Sequence, residues 1–307
     1  MLYILVMQLC DVVALLAYAV VLSSYERRIM SLMHSRDAPV AWAVLGLAQP
    51  LADGAKLVAK STATSTVGYR ILLQLVLCCL MATSAWAGTT VLTSYCSYWL
   101  VSITTLYHLS IALLLHSVLE LWIAAQQHSK YAVLAAGRLV HAFYIVELLW
   151  IVLLSCLCLH GIISSTTLMS TMVTTSVLSA ALPAMMVYLC IALVECSLHP
   201  YDVLECEPEL VSGYYVDHGA VAFMVVYLSE GIALIALLVI MLSMVSTTVG
   251  IMVSASSLYT WCAIALLLIL RYMTTRYRIA DAVHTMARAI LVDAQLLSAA
   301  TAFFFFF

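Results

Sequence analysis

Eight long apolar runs divide this chain and limit what it can fold into. Each is close to the roughly 20 residues that an α-helix needs to cross a bilayer. The runs are Leu2–Ser24, Ile71–Leu92, Trp99–Ala124, Ala135–Leu159, Thr175–Val194, His218–Ser243, Gly250–Leu270 and Val283–Phe306. A transmembrane β-barrel would alternate polar and apolar residues instead. The runs therefore predict an all-α, polytopic membrane protein.

The composition excludes the soluble classes of protein. Only 9% of the 307 residues are charged and 65% are hydrophobic, whereas about 25% of residues in a soluble domain are charged. A water-soluble enzyme could not cover so much apolar surface with a polar outer layer. Intrinsic disorder and nucleic-acid binding are excluded for the same reason. We expect residues 1–307 to form a single membrane domain.

The basic residues test the number of crossings, because loops on the cytoplasmic or matrix side of a membrane collect Lys and Arg. With eight crossings, all 12 basic residues fall on one face and both chain ends lie on the other. A different number of helices would scatter them over both faces. The residues are Arg27, Arg28, Arg36, Lys56, Lys60, Arg70, Lys130, Arg138, Arg271, Arg276, Arg278 and Arg288.

Two connections between the runs are long. The first, Tyr25–Arg70, contains the stretch Leu45–Lys60, whose apolar residues recur at helical spacing. This stretch is too short and too polar to cross the bilayer, which predicts an amphipathic helix in the interface. A plain loop is the alternative.

The second long connection is an acidic loop, Glu195–Asp217, that contains no Lys or Arg. Its carboxylates are Glu195, Asp202, Glu205, Glu207, Glu209 and Asp217. The eight-helix arrangement places this loop on the same face as the basic residues. We expect five of those arginines, Arg27, Arg28, Arg36, Arg276 and Arg278, to fold against it in a polar cap. A solvated acidic loop is the alternative.

Several carboxylic acids lie inside the apolar runs, where ionisable side chains are costly and are functional candidates. Glu147 follows Arg138 by nine residues, or about 13 Å along a helix axis. Glu230 follows Asp217 by thirteen, or about 20 Å. Both are predicted to lie deep in the membrane and to exchange protons. Asp11, Glu120 and Asp293 are further candidates, and structural carboxyls hydrogen-bonded to a neighbouring helix are the alternative.

Four groups of residues together resemble subunit 1 of respiratory complex I, the NADH:ubiquinone oxidoreductase, and the bacterial counterpart of that subunit. The first loop contains Glu26-Arg27-Arg28, Arg36, Pro39 and the stretch Gly46–Lys56 in the register of the family. Ser129-Lys130-Tyr131 is followed by Arg138 and Glu147 at the expected spacing. The acidic loop continues through Pro200-Tyr201-Asp202 and the stretch Glu209–Gly213 to Asp217 and Glu230. The fourth group is Arg271, Arg276 and Arg278.

The resemblance implies two sets of site residues. Those expected to line or brace the quinone chamber are Arg27, Arg36, Asp53, Lys56, Glu205, Glu207, Arg276 and Arg278. Those expected on the proton route are Glu147, Glu195, Glu209, Asp217 and Glu230. One departure affects the first set, because Ser197-Leu198 stands where the family has Asn-Arg. A cation usual near the quinone is therefore missing.

The resemblance also implies cofactors and partners. The substrate is ubiquinone, while FMN and the iron–sulfur clusters belong to partner subunits. The partners are the quinone-site and iron–sulfur subunits of the peripheral arm, other membrane-arm subunits and membrane lipid. The ten cysteines lie mostly in apolar runs without ligand spacing, so the sequence predicts no metal site and no bound cofactor in this chain.

Three other functions compete with this assignment. They are the membrane subunit of a related energy-converting hydrogenase, a secondary ion transporter, and a purely structural anchor for soluble subunits. The full register of the acidic loop argues against the first. We find no inverted repeat, as a transporter would predict, and an anchor would not need acids at mid-depth. The mitochondrial inner membrane is the expected location, with the bacterial plasma membrane second.

Overall fold

A computed structural model describes most of the chain. The described residues are 2–38, 46, 48–60, 67–98, 103–126, 129–159, 187–202, 210, 213, 219–249, 256–289, 291 and 295. All regular structure within these ranges is helical. This confirms the predicted all-α fold class.

Nine helical segments follow one another along the described part of the chain. They are α1 (Leu2–Met33), α2 (Gln49–Ala59), α3 (Val67–Tyr98), α4 (Ile103–Ala125), α5 (Lys130–Leu159), α6 (187–195), α7 (Ala220–Val249), α8 (Ser256–Met273) and α9 (279–289). The first predicted run ends at Ser24, whereas α1 continues to Met33. No Gly or Pro interrupts residues 25–33, so the helix extends beyond the apolar run into a charged segment.

Five of these helices are long and apolar enough to cross a membrane, as expected of a multi-pass membrane protein. The qualifying stretches are Gln8–Met33, Leu72–Val91, Thr105–Ala125, Lys130–Ser155 and Ala220–Met241. They correspond to the first, second, third, fourth and sixth predicted runs. The other three runs extend outside the described residues, so the total of eight crossings stays a prediction.

Helix α7 is the central element of the described bundle. It packs against α3, α1, α8 and α2, while α4 packs between α3 and α5. The closest approach is at Gly88 of α3, where an added Cβ would lie 2.6 Å from Leu15 of α1 and 3.2 Å from Ile232 of α7. These three helices therefore meet at a position that has no room for a side chain.

One buried tyrosine connects three helices across the core. Tyr188 of α6 is fully buried and donates a hydrogen bond from its hydroxyl to the Leu237 carbonyl of α7, at 3.0 Å. Its ring also meets Trp150 of α5 edge-on, with ring centroids 5.8 Å apart. This contact holds the beginning of the described part of α6 against α5 and α7.

Helix α2 is the predicted surface helix. It starts at Gln49, with Pro50 in the first turn, where the missing N–H costs no hydrogen bond. None of its residues is buried, and Leu51 and Val58 are exposed. The helix lies against α1 and α7. Leu45, where the sequence placed its start, lies outside the described residues.

Candidate functional site

A cavity of about 390 Å³ opens among α1, α7, α8 and the turn after α6. Its wall combines apolar side chains, such as Leu22 and Leu234, with polar ones. The polar lining consists of Ser23, Glu26, Arg27, Ser197, Tyr227, Glu230 and Arg271. Its volume lies in the range of about 300–1,000 Å³ that is usual for small-molecule sites.

An ion pair lies in the wall of the cavity. Arg271 of α8 donates a hydrogen bond to the Glu26 carboxylate of α1. The two side chains are 24% and 16% exposed, respectively. One residue before Glu26, Tyr25 meets Trp261 of α8 edge-on, with centroids 5.3 Å apart. Polar and aromatic contacts therefore hold α1 against α8.

A second ion pair attaches the surface helix to α1. Arg27 Nη1 lies 2.7 Å from Asp53 Oδ2, and Gln49 Nε2 donates to Asp53 Oδ1 at 3.2 Å. The hydrogen bond from Arg27 lowers the pKa of Asp53, and the charges of Arg27 and Lys56 act in the same direction. Asp53 is therefore ionised at neutral pH, and the pair is maintained there.

The structure brings together Arg27, Asp53 and Lys56 from the set expected around the quinone. Arg36 is exposed just beyond the end of α1, and Arg278 is exposed just before α9. Glu205 and Glu207 lie outside the described residues. Among the residues of this set that the structure describes, the cavity wall contains Arg27.

Arg276 is half-buried and contacts the beginning of the acidic loop. Its Nε donates to the Asp202 carbonyl at 2.6 Å, and the Tyr277 amide donates to the Pro200 carbonyl at 3.0 Å. The rings of Tyr201 and Tyr277 pack edge-on, with centroids 5.6 Å apart. The segment between α8 and α9 thus lies directly against the start of the loop, as the polar-cap hypothesis requires of Arg276.

The acids expected on the proton route gather around the end of α6. Glu230 of α7 lines the cavity, Glu147 of α5 is half-buried, and Glu195 is the last residue of α6. The charge of Glu147 acts on Glu195, and those of Glu195 and Glu230 both act on the Cys196 side chain. Three of the predicted acids therefore lie within electrostatic reach of one short segment. Glu209 and Asp217 fall outside the described residues.

One further acid belongs to this cluster: Glu120, a candidate from the apolar runs that is in neither set of site residues implied by the resemblance. Glu120 of α4 is 6% exposed and acts electrostatically on Glu195. Its side chain lies beside that of His116, one turn earlier on the same helix. The spacing of the two residues was visible in the sequence, but their burial beside α6 depends on how α4 packs.

Ser197 and Leu198, which depart from the family pattern, lie on the cavity wall. They line it together with Cys196 at the turn that follows α6. Leu198 thus places an apolar side chain where the resemblance leads one to expect a cation. The cationic lining of the cavity in the described chain comes from Arg27 and Arg271.

These features define what the site can do chemically. The cavity offers an apolar surface together with charged groups and a tyrosine hydroxyl, which suits a ligand with a polar head and an apolar body. The acid cluster beside it can bind and release protons. Within the described residues, no group of three or more His, Cys, Asp or Glu side chains is arranged to hold a metal ion.

Comparison with known proteins identifies relatives of the chain. A family model described as NADH dehydrogenase matches residues 5–302. NADH-ubiquinone oxidoreductase chain 1 of Coturnix japonica is 31% identical over 229 residues, which cover 73% of this chain and 69% of the relative. The protein of the same name from Struthio camelus is 31% identical over 230 residues, covering 74% and 69%.

A solved structure has the same fold. A chain of the membrane-bound sulfane sulfur reductase, an archaeal respiratory membrane complex, matches with a TM-score of 0.74 and 13% sequence identity. The match covers 95% of this chain and 98% of that chain. At this identity, the likeness concerns the fold alone.

Proposed function

This chain belongs to the NADH dehydrogenase family and is a membrane subunit of an NADH:quinone oxidoreductase, and we propose that it forms the membrane wall of the quinone tunnel and the acidic start of the proton route. The observation that supports this role best is the cavity with Glu230 on its wall, next to the cluster around Glu195. The hydrogenase alternative is not favoured, because the curated relatives are named NADH-ubiquinone oxidoreductase chain 1.

The cavity is proposed to receive part of the quinone. Leu22, Leu228 and Leu234 provide apolar contacts, and the pair Glu26–Arg271 provides charge on the cavity wall. Arg27 contacts both this cavity and, through Asp53, the surface helix α2. Helix α2, with its exposed Leu51 and Val58, would then border the entrance from the lipid. Arg36, Lys56, Glu205, Glu207, Arg276 and Arg278 complete the proposed chamber.

The acid cluster is proposed to respond to the chemistry in that chamber. Quinone reduction takes up electrons and protons, and the electrons come from an iron–sulfur cluster in a partner subunit. A change of charge in the cavity acts first on Glu230, which lines it. Because the charges of Glu230 and Glu195 act on the same Cys196 side chain, and that of Glu147 acts on Glu195, the change can pass across three helices. Glu209 and Asp217 are proposed to extend this route.

The partners and the location follow from the same assignment. The subunit is proposed to bind the quinone-site and iron–sulfur subunits of the peripheral arm on the face that holds Arg276 and the acidic loop. Other membrane-arm subunits would cover exposed apolar side chains such as Leu134 and Ile151. The proposed location is the mitochondrial inner membrane.

The decisive experiment changes the two deep glutamates in the intact complex. Glu147→Gln and Glu230→Gln retain size and hydrogen-bonding capacity but remove the exchangeable proton. We expect assembly and NADH oxidation by an artificial water-soluble acceptor to persist. Quinone-linked activity and pumping should fall together by about tenfold or more, because general acid–base groups contribute at least this much.

The matched control is Asp281→Asn, which removes an exposed carboxylate from α9. This variant should retain both activities. Normal pumping by either glutamine variant would remove that residue from the proposed route. Loss of the artificial-acceptor activity as well would indicate that the complex has not assembled. The fully assembled variant complex is then purified by its mass, and both activities are measured again.

A further inference from the structure

The exposed side of α5 carries polar side chains halfway along the helix. Its buried side packs against α4, and its Trp150 meets Tyr188 of α6. In the central part of α5, the exposed side chains recur at intervals of three and four residues and therefore share one face of the helix. This α5 face consists of Val140, His141, Tyr144, Leu148 and Ile151.

His141 and Tyr144 lie near the middle of a stretch that is long and apolar enough to cross a membrane. The stretch runs from Lys130 to Ser155. His141 follows its first residue by eleven positions, or about 16 Å, and Tyr144 precedes its last residue by the same distance. In a hydrocarbon core about 30 Å thick, both side chains would be far from the headgroups and from water.

A polar side chain in the middle of a lipid-facing surface is unfavourable. Histidines within spanning helices almost always face the interior of a bundle or a water-filled cavity. Lipid-facing tyrosines are enriched at the two membrane surfaces instead. Yet His141 is exposed, and Tyr144 is 67% exposed. Contact with a further protein segment would remove this cost, whereas contact with lipid would not.

The exposed face of α4 shows the opposite pattern, which is typical of lipid contact. Tyr107 and Trp122 are 42% and 49% exposed and lie fifteen residues apart, or about 22 Å. Its exposed histidine, His108, is next to Tyr107 and beside Trp86 of α3, at 6.0 Å between ring centroids. Aromatic and polar groups thus lie toward the ends of this face. The exposed large side chains between these ends are Ile111, Leu115 and Val118.

We propose that the α5 face binds a transmembrane helix of another membrane-arm subunit, which places a hydrogen-bonding side chain opposite His141 and Tyr144. An imidazole and a phenol can each donate and accept a hydrogen bond, and polar side chains of this kind connect helices within membranes. The apolar residues of the face pack around these bonds. The inference rests on the proposed function, which supplies the membrane-arm partners, and deepens it by assigning the surface that one of them covers.

The first test uses the intact complex in its native membrane, with Tyr144 replaced by the photoreactive residue benzoylphenylalanine. This residue is aromatic like tyrosine, so it changes the face little. After irradiation, mass spectrometry identifies the molecule that has reacted at position 144. We expect a product with a membrane-spanning peptide of another subunit. The same replacement at Leu148, one turn further along the face, gives a second position if the first variant does not assemble.

The matched control places benzoylphenylalanine at Leu115, which is 41% exposed in the middle of α4. This position should react with lipid. A product of position 144 or 148 with lipid, with another part of this chain or with a second copy of it would overturn the proposal. Since the reaction needs no quinone turnover, that result is distinct from a failure of the proposed function, which the Glu147 and Glu230 variants test.

The second test uses the sign of the effect of His141→Leu on subunit loss. The assembled complex is exposed to increasing detergent, and native gels measure the fraction that has lost a membrane subunit. Loss of one interhelical hydrogen bond should raise the ratio of dissociated to intact complex by about threefold. On a lipid-facing surface the same change would replace a polar side chain by an apolar one, and the complex would resist detergent equally well or better.

Two further variants show whether the hydrogen bond is responsible. His141→Gln keeps a side chain that can donate and accept, so the variant should resist detergent nearly as well as the wild type. His108→Leu makes the same replacement as His141→Leu on the exposed face of α4 and should not increase subunit loss. An unchanged or increased resistance of His141→Leu would overturn the proposal, as would equal losses in the His141→Leu and His108→Leu complexes.

Discussion

Glu26 on α1 and Arg271 on α8 form an ion pair although 245 residues separate them in the chain. The next residue, Arg27, reaches Asp53 on α2 instead. Neighbouring residues on a helix point about 100° apart. Two consecutive side chains therefore attach α1 to two different elements, to α8 at the cavity wall and to α2.

Breaking the first of these pairs should destabilise the subunit. Arg271→Gln leaves the Glu26 carboxylate without its countercharge in a place that is 16% exposed. Removal of one partner from a buried pair costs about 3–5 kcal/mol, and partial exposure places this case near the lower end of that range. We expect the assembled complex to lose quinone-linked activity at a lower temperature than the wild-type complex, as measured by residual activity after heating.

The double variant Glu26→Gln/Arg271→Gln is the control for that prediction. It removes both charges, so no buried group is left unpaired, and much of the stability should return. The difference between the double variant and the sum of the single variants measures the interaction. Additive losses would mean that Glu26 and Arg271 act independently, contrary to the contact seen between them.

The second pair should affect quinone access more than stability. Arg27 and Asp53 are 43% and 32% exposed, and a pair of this kind contributes about 0–1 kcal/mol. Asp53→Asn should therefore leave the heat resistance unchanged. It should raise the KM for quinone more than it lowers kcat, because α2 loses its attachment to α1. Steady-state kinetics with a short-chain quinone measure both values.

The pH dependence of this pair follows from the direction of the pKa shift. The pKa of Asp53 is lowered from its ordinary value of 3.8 by Arg27. A carboxyl with a lowered pKa stabilises the folded protein fully at pH values above its ordinary pKa. This stabilisation is lost as the pH falls through the lowered value. The KM difference between wild type and Asp53→Asn should therefore be constant from about pH 6 to pH 8. A difference that disappears within this range would contradict the ion pair.

The sequence predicted the helices well because hydropathy is a short-range pattern. Counting from Arg138 predicts that Glu147 lies deep in the membrane, and the structure places this residue within a helix that is long and apolar enough to span one. Its depth stays a prediction. The partners of charged residues were harder to predict. Hydropathy indicates which segments cross the bilayer, but the pairing of Glu26 with Arg271 depends on how α1 packs against α8.

The buried residues His116 and Glu120 illustrate the same limit of sequence-based prediction. His116 and Glu120 are four residues apart, a spacing at which side chains on a helix can meet. In the sequence this spacing does not distinguish a lipid-facing pair from a buried one. The position of Thr83 beside His116 depends on the packing of α3 against α4.

The distribution of basic residues predicts the orientation of the chain. Arg36, Lys130 and the loop that starts at Pro200 should face the matrix or cytoplasm, and both chain ends should face the opposite side. Trypsin added to sealed vesicles of one orientation should cleave at Lys130 only when the peripheral arm faces outward. A tag on the N-terminus should be removed only from the other side. Cleavage of both from the same side would disprove the eight-crossing arrangement.

The close contact at Gly88 gives the last prediction. In Gly88→Ala the new methyl carbon would lie 2.6 Å from Leu15 Cδ1, and Leu15 is only 1% exposed, so it has little room to move. Overpacking of this kind costs about 1–3 kcal/mol. We expect less assembled complex and inactivation at a lower temperature. Native gel electrophoresis and heating curves measure the two effects.

Gly137 supplies the matched control, because a Cβ at this position of α5 would have nothing within 4 Å. Gly137→Ala should be tolerated in this subunit, or even stabilise α5 by about 0.5–1 kcal/mol through helix propensity. The double variant Gly88→Ala/Leu15→Ala should recover assembly relative to Gly88→Ala, since removal of the leucine methyls frees the space that the new carbon needs. If Gly88→Ala and Gly137→Ala give the same amount of assembled complex and the same heating curve, the close packing of α1, α3 and α7 is contradicted.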